Sequence, residues 1–227
     1  MIINRLTVRF IEKLKHFRFL RRNTGRNPLT RLLHSGQSEL QMVINLKQKD
    51  LSFLQNLAEY RLLSTRQAAI IEGISERAIR NRANALCQSG LVELRYRAMG
   101  RGRGRPEYLI ALKEKGMDYL RRETDSGLNA SPVSDQDFAC IEHHLLVNWF
   151  RVHLLHMTRI IPKLSADFYS PTTPFLPRRK DGKPVISDMV RVGDQEEWLI
   201  PDGVFVLKNT ERDKALLFFL EVDMSTE

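Results

Sequence analysis

Cysteine is scarce in this sequence: Cys87 and Cys140 are the only two, far apart and in no CxxC spacing. A disulfide scaffold is excluded, and the two thiols read as reduced, small apolar side chains of a cytosolic protein. Long apolar runs are missing too. The longest, Ala215–Leu220, and shorter ones such as Leu145–Val147 are sized for a strand or a core and fall far short of the ~20 residues that cross a bilayer, which excludes an integral membrane protein. No Gly-x-Ser-x-Gly elbow, HExxH pair or phosphate-binding P-loop occurs. The one Gly-rich tract, Gly100–Gly104, runs Gly-x-Gly-x-Gly, without dinucleotide-binding spacing and without a helix directly after it.

What is present is charge, unevenly spread. Residues 1–125 hold 25 Lys and Arg against 12 Asp and Glu, giving +13, and residues 126–227 hold 11 against 15, giving −4, for the total of +9. A length of 227 residues allows one large or two small domains, and apolar residues at 42% can fill a core. A basic first half and a mildly acidic second half imply two units with different partners. The basic unit favours a polyanion, most often nucleic acid.

Residues 1–49 read as a basic arm. Leu6, Phe10, Leu14 and Phe17 make a helical stripe among Arg5, Arg9, Lys13, Lys15, Arg18, Arg21 and Arg22. Such a helix could also lie on a membrane surface or bind a partner protein. From Asp50 the texture changes. Asp50 or Ser52 can cap a helix reaching about Leu62. Ser64 and Gln67 form a capping-box pattern that opens a short helix, Thr65–Ile71, with Gly73 ending it. Ser75 caps a third helix from Glu76 to about Gln88, closed by Gly90. Three short helices with a Gly turn between the second and third fit a helix-turn-helix. Strand candidates Leu91–Met99 and Glu107–Leu112 then flank the Gly/Arg/Pro loop 100–106, and a helix Glu114–Arg122 follows. Residues 50–123 are thus expected to be a winged-helix DNA-binding domain.

On the third helix, Ile79, Ala83, Leu86 and Cys87 define an inward face. Arg77, Arg80, Asn81, Asn84 and Gln88 then point outward, where Arg suits guanine edges and Asn or Gln suits adenine. The plainer alternative is a solvated helix face. In the wing, Arg101, Arg103 and Arg105 alternate with glycines that let the backbone approach phosphates or the minor groove. The expected partner is double-stranded DNA, with a homodimer left open.

Residues 124–137 are polar and read as a linker. Phe138–Met157 is a long helical pattern, and the stretch after Phe168, with Pro171, Pro174, Pro177 and Pro184, reads as extended loop. Two terminal strand candidates follow, Trp198–Leu207 and Ala215–Asp223. Glu221 and Asp223 would share a strand face; if the strands pair, Asp202 joins them as a carboxylate cluster of the kind that holds Mg²⁺ or Mn²⁺. The alternative is ordinary carboxylates at strand ends. His143 and His144 are adjacent, and His153 and His156 share a helix face without a third ligand, so all four read as packing or surface residues.

Pro201-Asp202, a spacer, and Glu221-Val222-Asp223 resemble the PD-(D/E)xK nuclease core, with Asp223 standing where that motif has its lysine. Four further segments resemble the replication-relaxation family. They are the Ser-Thr-x-Gln at Ser64–Gln67, Ile-Ser-Glu-Arg-x-Ile-Arg at Ile74–Arg80, Tyr-Leu-Ile-Ala-Leu at Tyr108–Leu112 and Glu-His-His-Leu-Leu-Val-Asn at Glu142–Asn148, followed by the terminal Ile-Pro-Asp-Gly-Val-Phe and Phe-Phe-Leu-Glu-Val-Asp. The resemblance covers about residues 50–227. It implies an α+β chain in which a winged helix precedes a partial restriction-endonuclease-like α/β domain at 138–227, shortened at its acidic strand. It also implies a role in replication, relaxation or mobilisation of a plasmid or mobile element, or in its transcriptional control, in the bacterial cytoplasm. DNA binding without cleavage is the expectation. The enzymatic alternative is a metal-dependent nicking enzyme or relaxase using Asp202, Glu221 and Asp223.

Overall fold

A computed structural model describes residues 46–97, 107–124, 140–171, 185–192 and 194–224, with isolated positions 133, 173, 180 and 182. Residues 1–45 of the expected arm 1–49, the wing tip with Arg101, Arg103 and Arg105, and most of the expected linker lie outside the described residues. From Leu46 onward the chain forms one compact unit.

Its first part is helix α1 (Gln48–Tyr60), strand β1 (Leu62–Ser64), helices α2 (Thr65–Glu72) and α3 (Glu76–Gln88), strands β2 (Val92–Arg97) and β3 (Glu107–Leu112), and helix α4 (Glu114–Thr124). α1 starts earlier than the expected caps Asp50 and Ser52. Asp50 sits inside the first turn, where its carboxylate accepts the Lys47 N–H at 3.3 Å and a negative charge is favoured by the helix dipole. Arg61, at φ 65°, turns the chain into β1, a three-residue strand too short to show a period-2 pattern in the sequence. β3 lies between β1 and β2, antiparallel to both. Phe53, Leu54, Leu57, Leu63, Ile79, Leu91, Ile110 and Leu120 are wholly enclosed between this sheet and its helices. Gly116 lets α4 close on the sheet, since a Cβ there would lie 2.2 Å from the Leu91 carbonyl.

The second part is helix α5 (Ile141–Ile160), strand β4 (Leu164–Tyr169), the hairpin β5 (Asp188–Val192) and β6 (Gln195–Leu199), and strands β7 (Gly203–Asn209) and β8 (Lys214–Leu220). The fold class is α+β, as the sequence implies. Two terminal expectations change. The single strand Trp198–Leu207 is two strands in different sheets, β6 and β7, parted at Ile200–Asp202 because Pro201 has no N–H for a ladder. The stretch before the prolines contains β4, which pairs antiparallel with β7, and β7 pairs antiparallel with β8. Gly203 admits the Phe168 ring, which a Cβ would meet at 2.3 Å.

α5 covers the outer face of the first sheet. Leu145 packs with Leu62, Leu109 and Ala111, joined by Ile141 and Val133. Its farther end covers β4 and β7, where Phe150 meets Phe205 at 5.0 Å between ring centres.

Candidate nucleic-acid interface

Local sequence sets the aim of α3. At the end of α2, Gly73 adopts φ 66°, a left-handed conformation that glycine takes without steric cost. Two residues later, Ser75 Oγ accepts the Ala78 N–H at 3.3 Å and starts α3. Ile79, Ala83 and Leu86 are buried, so the helix cannot rotate about its axis without exposing them. Arg77, Asn81, Asn84 and Gln88 are exposed together on the opposite face, as their spacing requires.

Arg80 departs from that set. It is half-buried, its guanidinium Nη2 donates to Glu76 Oε2 at 2.7 Å, and its Nε is enclosed with no hydrogen-bond partner. Part of its donor capacity is therefore committed within the helix.

Arg82, which sequence reading passed over, braces α3. It pairs with Glu72 of α2 at 3.0 Å and Asp50 of α1 at 3.6 Å, and lies over the Phe53 ring at 5.7 Å. Glu72 also accepts Asn56 Nδ2 at 2.7 Å. One guanidinium thus ties all three helices, using the fork geometry that lets Arg serve two carboxylates.

Behind the helices stands α5, whose polar residues grip the backbone of the winged-helix part. Asn148 Nδ2 donates to the Leu62 carbonyl at 2.6 Å and the Tyr60 carbonyl at 3.1 Å. Arg151, 4% exposed, donates to the Glu59 carbonyl at 3.0 Å and carboxylate at 3.1 Å. Its guanidinium lies 3.9 Å from the Tyr60 ring centre and 4.8 Å from that of Phe168. Arg159 donates to the Ile70 and Ile71 carbonyls at 2.9 and 2.8 Å, capping the C-terminal end of α2. Gln67, the capping-box partner of Ser64, reaches back to the Leu145 carbonyl at 2.9 Å. Asn and Arg on the apolar side of a helix were the only sequence signal for this clamp.

The acidic residues are arranged otherwise than as a cluster. Asp202 Oδ2 accepts the Val222 N–H at 2.8 Å and lies 2.9 Å from His143 Nε2. Asp202 thereby fastens the chain leaving β8 to the start of β7 and to α5, and His143 belongs to this contact rather than to plain packing. Glu221 and Asp223 are exposed. Among the described residues no group of three or more His, Cys, Asp or Glu side chains is placed to hold a metal ion. His153 Nδ1 lies 2.7 Å from the Trp149 carbonyl. No helix among the described residues is long and apolar enough to cross a membrane.

In comparison with known proteins, the family model described as replication-relaxation matches residues 54–227. Among solved structures, the chain is similar to a transcriptional regulator homologue from Pyrococcus horikoshii OT3, at 18% identity over 32% of this chain and 69% of that one, with a TM-score of 0.29. It is also similar to the zinc-responsive MarR family member ZitR of Lactococcus lactis, at 19% identity over 51% of this chain and 72% of that one, TM-score 0.30. Wild-type ZitR in complex with DNA matches at 14% identity over 68% of this chain and 93% of that one, TM-score 0.29. A search of curated proteins finds no match.

Proposed function

Because the chain belongs to the replication-relaxation family, we propose that it binds double-stranded DNA of a bacterial plasmid or mobile element, acting in its replication, its relaxation or mobilisation, or its transcriptional control. The observation that carries this reading is the exposed face Arg77, Asn81, Asn84 and Gln88 on a helix whose other side is buried and whose ends are capped. Groove readout needs such rigidity, because a bidentate contact with a base edge depends on a side chain held in register. In this reading α3 lies in the major groove, and Arg101, Arg103 and Arg105 neutralise phosphates or enter the minor groove. Replacing the three wing arginines with Ala is expected to weaken binding to any duplex and to lower the salt slope by up to about 3, roughly one per lost phosphate contact. Fluorescence anisotropy across a salt series measures this, and an unchanged slope would remove the wing from the interface.

A second reading has one supporting observation. A helix followed by a three-stranded antiparallel sheet, with Asp202 just before the middle strand and Glu221 just after the last, resembles the PD-(D/E)xK arrangement. In that reading Asp202, Glu221 and Asp223, which are not placed together to hold a metal ion, would have to gather around Mg²⁺ or Mn²⁺, whose charge phosphodiester cleavage needs. The geometry favours binding without cleavage. Asp202 Oδ2 is already engaged by Val222 and His143, and Asp223 puts a negative charge where that motif has a cation. Supercoiled plasmid with Mg²⁺ or Mn²⁺, beside an Asp202→Ala/Glu221→Ala variant, separates the readings. Nicking by the parent alone would establish the enzyme.

A further inference from the structure

Strand β8 is an outer strand of its sheet. It pairs with β7 in continuous register from Gly203↔Leu220 to Asn209↔Lys214. Among the described residues nothing pairs with its other edge. Proteins guard such edges with charge, proline or a bulge. The run Ala215–Leu220 has no charge and no proline, and the register has no bulge. Its side chains are also open, with Leu216 60%, Phe219 59% and Phe218 38% exposed.

Both faces of the sheet carry an apolar row that stops at this edge. On one face Phe168, Phe205 and Phe218 form a stacked row, Phe205 and Phe218 being 4.9 Å apart between ring centres. Phe150 lies against the first two rings. On the other face Phe219 stands opposite Val204 and Leu217 opposite Val206, and both valines are buried. An occupant that continues both rows and takes up the edge N–H and C=O groups is another strand, not a helix.

We propose that the occupant is β8 of a second copy of this chain, added antiparallel about a two-fold axis normal to the sheet. The sequence is self-complementary in that register. Overlap of all seven residues sets Leu217 against itself, Leu216 against Phe218, and the small Ala215 against the large Phe219. Each pair faces the same side in both copies, so the row Phe168–Phe205–Phe218 runs on into the second copy's Leu216. At each end Lys214 comes within one residue of the second copy's Glu221. Leu216, Phe218 and Phe219 offer on the order of 300 Å² of apolar surface per copy, below a standard interface, so the dimer is weak. On the DNA-binding reading, two α3 helices related by this axis would favour an inverted repeat.

Light scattering on the full chain tests this over about 1 to 100 μM, a span that brackets a weak dimer. The mass should rise from the monomer's 26.4 kDa toward twice that value. Leu216→Lys/Phe219→Lys should stay monomeric with an unchanged circular dichroism spectrum and melting temperature. In a Cys140→Ser background, Leu217→Cys should form a disulfide-linked dimer under mild oxidation, because the two-fold brings the two Cβ atoms together. Leu220→Cys, which faces Lys214 of the other copy, should not. A mass that stays monomeric at the highest concentration overturns the proposal. So does a dimer indifferent to the double lysine variant, equal cross-linking at both positions, or open-ended growth beyond two copies.

Discussion

Two three-stranded antiparallel sheets sit in one compact unit, and they are finished differently. In the first, β3 is flanked by β1 and β2 and covered on both faces. Ile110, Leu63 and Val92 are enclosed on the side of the small helices, and Leu62, Leu109 and Ala111 under Leu145 of α5. In the second, cover reaches Val204 and Val206 but not β8. The first sheet therefore serves as an internal scaffold that fixes α3. The second ends in a surface, where the same apolar chemistry that makes a core is available for association.

Stability measurements sharpen that contrast most strongly. Phe53→Ala, in the sealed region, is expected to cost about 3–5 kcal/mol by urea unfolding. Phe219→Ala at the open edge should stay within about 0.5 kcal/mol. A large loss at Phe219 in a monomeric sample would mean that β8 is covered, and the comparison would fail. Arg151→Ala should cost about 2–4 kcal/mol, since it strips partners from the Glu59 carbonyl and carboxylate and removes the guanidinium between Tyr60 and Phe168; loss near zero would show the two sheets to be energetically independent. Arg82→Ala should destabilise by about 1–2 kcal/mol and, if the proposed DNA binding holds, weaken it by loosening α3. Arg82→Lys should recover only part, because a point charge cannot serve both carboxylates at once. Ser75→Ala should cost about 1 kcal/mol for one lost N-cap, read as faster hydrogen exchange at the start of α3.

The same divide governs what could be read from the chain. α3 and β3 coincide with their expected bounds because local chemistry specifies them: Ser75 and the buried triplet Ile79, Ala83 and Leu86 for one, a continuous apolar stretch after a Gly/Pro loop for the other. The start of α2 follows from Ser64 and Gln67 for the same reason. In the second part the determinants are distant. β4 owes its extended form to pairing with β7, some forty residues later, and only the downstream prolines were visible. Pro201 parts β6 from β7, yet their apolar residues read as one run. Arg82, Arg151 and His143 act through partners on other elements, and no spacing in the sequence announces such partners. Arg80 carries the reverse lesson, since its outward spacing was evident but its contact with Glu76 was not.

The central claim is that the α3 face reads base edges, and a direct measurement is available. Duplexes are selected from a random pool by the full chain, and binding of the selected and a scrambled duplex is then compared for the parent and an Asn81→Ala/Asn84→Ala/Gln88→Ala variant across a salt series. The account predicts that the parent prefers the selected duplex by at least about tenfold. The variant should lose most of that preference, because each bidentate base contact is worth roughly 1–3 kcal/mol, while its salt slope stays the same because no phosphate contact is removed. A variant that keeps the full preference, or a parent that selects no sequence at all, would contradict it.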